Sequence, residues 1–327
     1  MKKRKLKLKK QVWVALIIII FGSITIFTFT NIKKENKKEA ITYSNITNKD
    51  ASSLKKLGYT DKELKVLDEK ASEVVVKYLL NTTKNSNIIN LLNEKYYLKD
   101  NAEKYILYIK ENPTYTTSRV IAHINTHANE KKYEFIMDAN TGKDNLILVN
   151  KYYQLKSDYE PNNLIKVNPE HYYGTNHKLQ KSAYDAFKTM WTEAKKEDLY
   201  LIITESYRSY ETQKNTYDKQ KDSLGTTKAD EQVARPGCSD YQTGLSMQIS
   251  SKQDITSSNF KNTKTYEWLT NNAHNYGFIL RYPENKSDIT GFPANFNQWR
   301  YIGIEAATYI HDNDITLEEY YAYFIEK

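Results

Sequence analysis

Residues 234–250 read ARPGCSDYQTGLSMQIS, and the interpretation of the chain starts from this stretch. Its apolar end, from Leu245 to Ile249, predicts a short strand. Two other segments combine polar, aromatic and basic side chains in the same way, one around Arg208 and one around Trp299. Since ligand sites form where strand ends and loops converge, we expect these segments to meet Ser239 in one site.

The elements around this stretch alternate between strands and helices. Leu179 to Leu199 carries an apolar stripe at helical spacing, and Tyr200 to Thr204 reads as a short buried strand. Strands separated by helices with short connections predict an α+β domain with a small sheet flanked by helices. The remaining predictions are helices at 61–80, 97–110, 212–220 and 265–276, strands at 145–153, 278–282 and 297–302, a loop through Gly225 and Ala229, and two C-terminal helices, with a capping box at Thr316 and Glu319.

The N-terminus predicts a membrane anchor. Residues 12–30 contain no charged side chain across 19 positions, close to the roughly 20 residues that span a bilayer as a helix. Residues 1–11 form a basic flank, so the positive-inside rule places the N-terminus in the cytoplasm and the rest of the chain outside. The length of the apolar run and the lack of a small-x-small cleavage site favour an uncleaved signal anchor over a cleaved signal peptide.

The domain organisation follows from this anchor. Residues 31–52 are polar and read as a stalk, residues 53–145 as a helical accessory region, and residues 146–327 as the main domain. Residues 1–10 contribute +7 and residues 31–39 contribute +2 to the formal charge of +8, so the remainder is close to neutral, at −1. The basic pI therefore does not indicate a nucleic-acid partner.

Several segments together resemble the VanY-type D-alanyl-D-alanine carboxypeptidases, and their order and spacing agree through about 180 residues. The matching segments are LVNKYYQL at 148–155, YRSYETQ at 207–213, ARPGxSxxQTGL at 234–245, WLxxNAHxYGFILRYP at 268–283, the turn at 289–291, RYIG at 300–303 and ITLEEYY at 315–321. The resemblance implies a zinc D,D-peptidase-like fold, with an accessory segment before it.

The resemblance also implies a zinc site, and this chain departs from it at each functional position. The family holds zinc with a His in Ser-x-His, an Asp seven residues later and a second His near the C-terminus, and a Glu three residues before that His is the general base. In this sequence the ligand positions are Tyr241, Gln248 and Gln298, and the base position is Asn295. Amides and a phenol are poor zinc ligands, and amides are not bases near neutral pH, so no catalytic residue and no zinc are expected here.

The wall of the family's pocket is retained. Arg208 and Ser239 match residues that hold the substrate's carboxylate and backbone, and Tyr207, Gln213 and Arg300 also persist. An arginine fork suits a carboxylate. For Arg208 the choice between binding a ligand and bracing a loop stays open, whereas for Arg300 bracing is favoured.

Other side chains with chemical potential have simpler interpretations. His123 and His127 lie four residues apart, but we read them as surface histidines because no third ligand is near in the sequence. Cys238 is the single cysteine, which excludes an intramolecular disulfide, and we expect a buried or inert thiol.

These observations predict a pseudoenzyme: a membrane-anchored, extracytoplasmic, D-alanyl-D-alanine carboxypeptidase-like protein that binds a peptidoglycan stem peptide without cutting it. One alternative is an active metallocarboxypeptidase with a non-standard site that recruits His171, His177 or His274. Another is a structural partner of a cell-envelope protein, with no ligand in the cleft.

Overall fold

The computed structural model describes residues 42–253, 255 and 259–326. Within these residues, no helix is both long and apolar enough to cross a membrane. The predicted anchor at 12–30, its basic flank and most of the stalk lie outside the described residues. The described chain divides into two compact units: one holds the residues up to Ala71 and Val76–Lys84, and the other holds Ser72–Val75 and the chain from Asn85 onward. The predicted domain boundary at residue 145 falls inside the second unit and stays a prediction.

The first unit is built around α1 (Asn48–Lys56) and α2 (Asp61–Lys70). Thr60 and Glu63 form a capping box that satisfies the first amides of α2. The prediction of one continuous helix over 61–80 is wrong, because the chain breaks at Ala71, which is extended (φ −72°, ψ 144°). A second helix, α3 (Glu73–Leu80), begins after this break and contributes residues to both units.

The second unit contains the remaining elements. The helices are α4 (Ser86–Asn93), α5 (Ala102–Glu111), α6 (Thr117–Asn125), α7 (Lys181–Lys195), α8 (Tyr210–Leu224), α9 (Thr226–Gln232), α10 (Lys264–Asn272), α11 (Ser287–Thr290), α12 (Ile304–Asn313) and α13 (Leu317–Phe324). The strands are β1 (Met137–Asp138), β2 (Tyr153–Gln154), β3 (Leu164–Lys166), β4 (Lys178–Gln180), β5 (Leu201–Glu205), β6 (Ser246–Ser251), β7 (Phe278–Tyr282) and β8 (Asn295–Tyr301).

A four-stranded antiparallel sheet in the order β5-β6-β8-β7 is the centre of this unit. The apolar stripe of α7, including Phe187 and Met190, packs with Ile203 and Met247 of the sheet in one buried cluster. Burial of such side chains stabilises each by about 1.5–3 kcal/mol relative to exposure. The predicted α7 helix and the sheet strands are therefore confirmed, as is the α+β class with a small sheet flanked by helices.

A second buried cluster joins the C-terminal helices to the segment before β2. Leu148 and Val149 pack there against Ala307 and Leu317. The capping box of Thr316 and Glu319 at the start of α13 is confirmed.

Two local predictions in this unit are wrong. The predicted strand at 145–153 is a strand only from Tyr153, since the carbonyls of Ile147 and Val149 accept hydrogen bonds from buried arginine side chains rather than from a neighbouring strand. The predicted loop through Gly225 and Ala229 is helical from Thr226 onward, as α9, and only Gly225 between the two helices is non-helical.

Candidate functional site

The sheet brings two of the family's ligand positions side by side. In the antiparallel pairing of β6 with β8, Gln248 lies directly opposite Gln298. On its other side, Gln248 lies opposite Glu205 of β5. Directly paired residues of neighbouring strands project to the same face, so these three side chains share one face of the sheet. Asn295 begins β8, and Tyr241 lies in the short helical turn that precedes β6.

One cleft of about 470 Å³ collects these positions. Its lining contains all four family positions, at Tyr241, Gln248, Asn295 and Gln298. It also contains the predicted ligand-binding residues Arg208, Gln213 and Ser239, but Tyr207 is not part of this lining. The sequence segments around Arg208, Ser239 and Trp299 therefore do converge, as expected from the motifs.

The amides in the cleft hydrogen-bond to one another and to their surroundings. Asn295 Nδ2 donates to Gln298 Oε1 at 3.4 Å, and Gln298 Nε2 donates to Ser246 Oγ at 3.2 Å. Asn295 Oδ1 in turn accepts from the backbone N–H of Asn297 at 3.2 Å. The positions of the last zinc ligand and of the general base are thus joined by an amide–amide hydrogen bond.

Tyr241 stands at the position of the first zinc ligand. Its side chain is buried, with 7% of its surface exposed, and its hydroxyl finds no hydrogen-bond partner among the described residues. Burial raises the pKa of Tyr241, and the Arg208 guanidinium opposes that shift only in part. The phenol is therefore neutral, and its O–H is a hydrogen-bond donor in the cleft.

The donor set does not fit zinc. Zinc in proteins is held by thiolate, imidazole or carboxylate groups, and the three ligand positions offer two amides and a protonated phenol. The carboxylate of Asp240, which also lines the cleft, is bound to the buried guanidinium of Arg300. Across the described part of the chain, no cluster of three or more His, Cys, Asp or Glu side chains could hold a metal ion.

Arg208 is held firmly in the cleft wall. Its backbone N–H donates to the Tyr241 carbonyl at 3.4 Å, and its guanidinium lies 4.7 Å from the centroid of the Tyr241 ring. Nη2 forms an ion pair with the Glu205 carboxylate, and Nη1 donates to Gln213 Oε1 at 3.4 Å. Gln213 also donates to the Ala234 carbonyl at 2.8 Å, so both ends of its amide position other protein groups.

Glu205 is a further charged residue beside the cleft, and it is not one of the site residues predicted from the sequence. It lies three residues before Arg208, at the end of β5, where the pairing with β6 shifts register between Ile203 and Glu205. An acidic residue three positions before a candidate binding arginine was a visible signal, but the register shift in β5 was not.

Arg300 braces the fold, as favoured from the sequence. Its side chain is fully buried, and Nη1 donates to Asp240 Oδ1 at 2.5 Å. Nη2 donates to the carbonyls of Asn145 and Ile147 at 3.0 and 2.8 Å. Arg281, also fully buried, pairs with Glu318 at 2.7 Å and approaches Asp240 within 3.5 Å. These buried charges join the turn before β6 to β7, β8 and the C-terminal helix.

The histidines lie away from the cleft lining. The prediction of a surface residue is wrong for His123, which is buried on α6. Its ring shares a hydrogen bond with the Tyr108 hydroxyl at 2.9 Å, and its Nε2 lies 2.6 Å from the Asp288 carboxylate. His127 is partly exposed and lies 3.4 Å from Glu326.

The histidines of the alternative metal hypothesis also have other neighbours. His171 hydrogen-bonds to Tyr184 at 2.8 Å, His177 to Ser206 at 2.9 Å, and His274 stacks on His311. None of the three lines the cleft.

Cys238 matches its interpretation as an inert thiol. Its side chain is buried, and burial raises the pKa of the thiol to about 12. A thiol with this pKa is protonated at neutral pH and is a poor nucleophile.

The fold and the cleft define a zinc D,D-peptidase-like domain whose metal-binding positions carry neutral side chains. A family model described as VanY, D-alanyl-D-alanine carboxypeptidase, matches residues 176–304. The putative carboxypeptidase YodJ of Bacillus subtilis (strain 168) is 43% identical over 198 residues, which are 58% of this chain and 72% of that protein. The chain belongs to the VanY D-alanyl-D-alanine carboxypeptidase family.

Two further similarities agree with this assignment. The D-alanyl-D-alanine carboxypeptidase of Enterococcus faecalis (strain ATCC 700802 / V583) is 33% identical over 140 residues, 40% of this chain and 51% of that protein. The solved structure of the LdcB LD-carboxypeptidase, described as revealing the molecular basis of peptidoglycan recognition, superposes with a TM-score of 0.55. It is 41% identical and covers 59% of this chain and 92% of its own.

Proposed function

We propose that the protein is a membrane-anchored, extracytoplasmic member of the VanY family that binds peptidoglycan stem peptides and does not hydrolyse them. The observation that carries the proposal is the convergence of four neutral side chains at the family's ligand and base positions in one cleft.

The chemistry of these side chains argues against hydrolysis. Peptide hydrolysis by this family's route needs a cation to polarise the carbonyl and a base to take a proton from water. Asn295 and Gln298 are amides that already hydrogen-bond to each other, and an amide takes no proton near neutral pH. Tyr241 holds its proton because burial raises its pKa.

The remaining walls support binding. A volume of about 470 Å³ lies within the range of small-ligand sites, roughly 300–1,000 Å³. Arg208, Ser239 and the Tyr241 hydroxyl supply convergent polar groups, and Phe292 and Phe296 supply apolar surface. Relatives of this chain are named as carboxypeptidases of D-alanyl-D-alanine and as recognising peptidoglycan, which favours a stem peptide as the ligand.

The location of the protein rests on the N-terminal sequence. The uncharged run at 12–30 and its basic flank would hold the protein in the cell membrane with the N-terminus in the cytoplasm. The cleft would then face the cell wall, where stem peptides occur.

The test uses the full-length protein in detergent. Bound zinc, release of D-alanine from a pentapeptide ending in D-Ala-D-Ala, and peptide binding by calorimetry are measured together. We expect peptide binding without stoichiometric zinc and without D-alanine release. One equivalent of bound zinc, with turnover that a chelator abolishes, would refute the proposal. A lack of binding at millimolar peptide would refute the proposed peptide binding.

A restored variant makes the test sharper. Tyr241→His, Gln248→Asp and Gln298→His together return the family's ligand set to the same backbone positions, and we expect this triple variant to bind close to one zinc per chain. Adding Asn295→Glu returns the base, and we expect only this quadruple variant to release D-alanine. The triple variant is the matched control that separates metal binding from catalysis.

A further inference from the structure

Among the described residues that line the cleft, Arg208 supplies the guanidinium that a ligand can meet, and this guanidinium already has a counter-ion. Arg208 lines the cleft with 22% of its side chain exposed, and Glu205 forms an ion pair with it from the end of β5. Glu205 is not among the residues that line the cleft, and it keeps 34% of its side chain exposed, so it reaches the Arg208 guanidinium from beside the cleft. The pairing of β5 with β6 sets Glu205 opposite Gln248, which lines the same cleft.

The other charged group in the cleft lining is also paired. Asp240 is fully buried and is bound to Arg300, with Arg281 at 3.5 Å. A ligand in the cleft therefore contacts uncharged amides and hydroxyls, together with the Arg208–Glu205 ion pair, whose net charge is zero. A free carboxylate that enters this cleft finds no uncompensated cation among its described lining residues.

We propose that Glu205 determines ligand specificity by masking Arg208, so that the cleft prefers a peptide whose end beside Arg208 is an uncharged carboxamide over one that ends in a free carboxylate. The inference rests on the proposed peptide-binding function and names the chemical form of that ligand. A carboxylate would have to displace Glu205 from the guanidinium and then lie next to it, which like-charge repulsion opposes. A carboxamide oxygen can accept a guanidinium N–H, and its NH2 group can donate to the Glu205 carboxylate.

The test compares two ligands and three proteins. The ligands are a pentapeptide ending in D-Ala-D-Ala with a free carboxylate and the same peptide with a terminal carboxamide. The proteins are the full-length wild type, Glu205→Gln and the control Glu211→Gln, which removes an exposed carboxylate from the first turn of α8. Binding is measured by calorimetry, and melting temperatures establish that all three proteins are folded.

We expect the wild type to bind the carboxamide more tightly than the carboxylate. Glu205→Gln should strengthen binding of the carboxylate peptide roughly tenfold or more, the scale of one charge-assisted hydrogen bond, and should not strengthen binding of the carboxamide. Glu211→Gln should behave as the wild type.

Two results are distinguishable from this one. If the carboxylate peptide binds equally to wild type and Glu205→Gln, the masking role is wrong while peptide binding stands. If no protein binds either peptide, the proposed function itself fails, and the specificity inference fails with it.

Discussion

Asp240→Asn should cost this protein a large part of its stability. Asp240 is fully buried and holds Arg300 at 2.5 Å, with Arg281 at 3.5 Å on its other side. The substitution keeps the shape of the side chain but removes its charge. Arg300 would then lose its carboxylate partner, because the remaining buried carboxylate, Glu318, pairs with Arg281 and accepts a hydrogen bond from Asn150.

The size of the loss follows from burial. Removing one partner of a buried ion pair leaves an uncompensated charge out of water and costs about 3–5 kcal/mol. At about 2–4 °C per kcal/mol for a unit of this size, the melting temperature should fall by about 6–20 °C. An exposed pair provides the contrast: Asp218 contacts Lys214 at 2.5 Å with 43% of its side chain exposed, so Asp218→Asn should cost under about 1 kcal/mol.

The assay is urea unfolding of both variants beside the wild type, followed by circular dichroism and by tryptophan fluorescence. A loss below about 1 kcal/mol for Asp240→Asn, or one equal to that of Asp218→Asn, would refute the view that the buried charges hold these segments together.

Two further predictions concern stability. Burial lowers the pKa of His171 and of His177 in the folded protein. The unfolded chain therefore takes up protons first as the pH falls below about 6.5, and the midpoint of urea unfolding should drop between pH 7.5 and 5.5. A midpoint that rises over this range would contradict the prediction. Gly237→Ala should destabilise the fold more than Gly225→Ala, because a Cβ at Gly237 would lie 2.7 Å from the Leu155 carbonyl at a φ of 85°. Gly225→Ala, at a φ of 79° and a ψ of 163° with open space around its Cβ, should cost only the backbone strain of about 1–3 kcal/mol, so equal losses in thermal melts would count against the clash.

Apolar periodicity predicted correctly those helices and strands that bury their own apolar side chains. The stripe on α7 and the short apolar runs of β5 and β7 were placed within a few residues of their observed bounds. Tertiary contacts decided the exceptions. The run at 146–149 is as apolar as a strand, but its carbonyls are used by Arg300 and Arg281, which lie more than 130 residues away in the sequence.

The helix α9 is the opposite case, since it forms although its sequence lacks apolar periodicity. Its sequence, TTKADEQ, has no apolar period, so it read as a loop. Its residue Asp230 binds Arg235 through two hydrogen bonds and accepts another from Tyr217, and its carbonyl accepts from Lys151. These contacts involve residues from three separate parts of the chain, which no local pattern contains.

Most residues of the candidate site were predicted from the sequence, but the ion pair beside the cleft was not. The resemblance to the VanY family placed Tyr241, Gln248 and Gln298 in one cleft, and the pairing of β6 with β8 brings Gln248 opposite Gln298. The ion pair of Arg208 with Glu205 forms at the end of β5, next to a register shift in the pairing with β6, and the family motifs do not include Glu205.

The buried cluster around Asp240 connects four parts of the second unit using only side chains that the chain itself supplies. Because the family's ligand positions carry two amides and a phenol, we expect a chelator to change neither the melting temperature of this protein nor the peptide binding proposed for it.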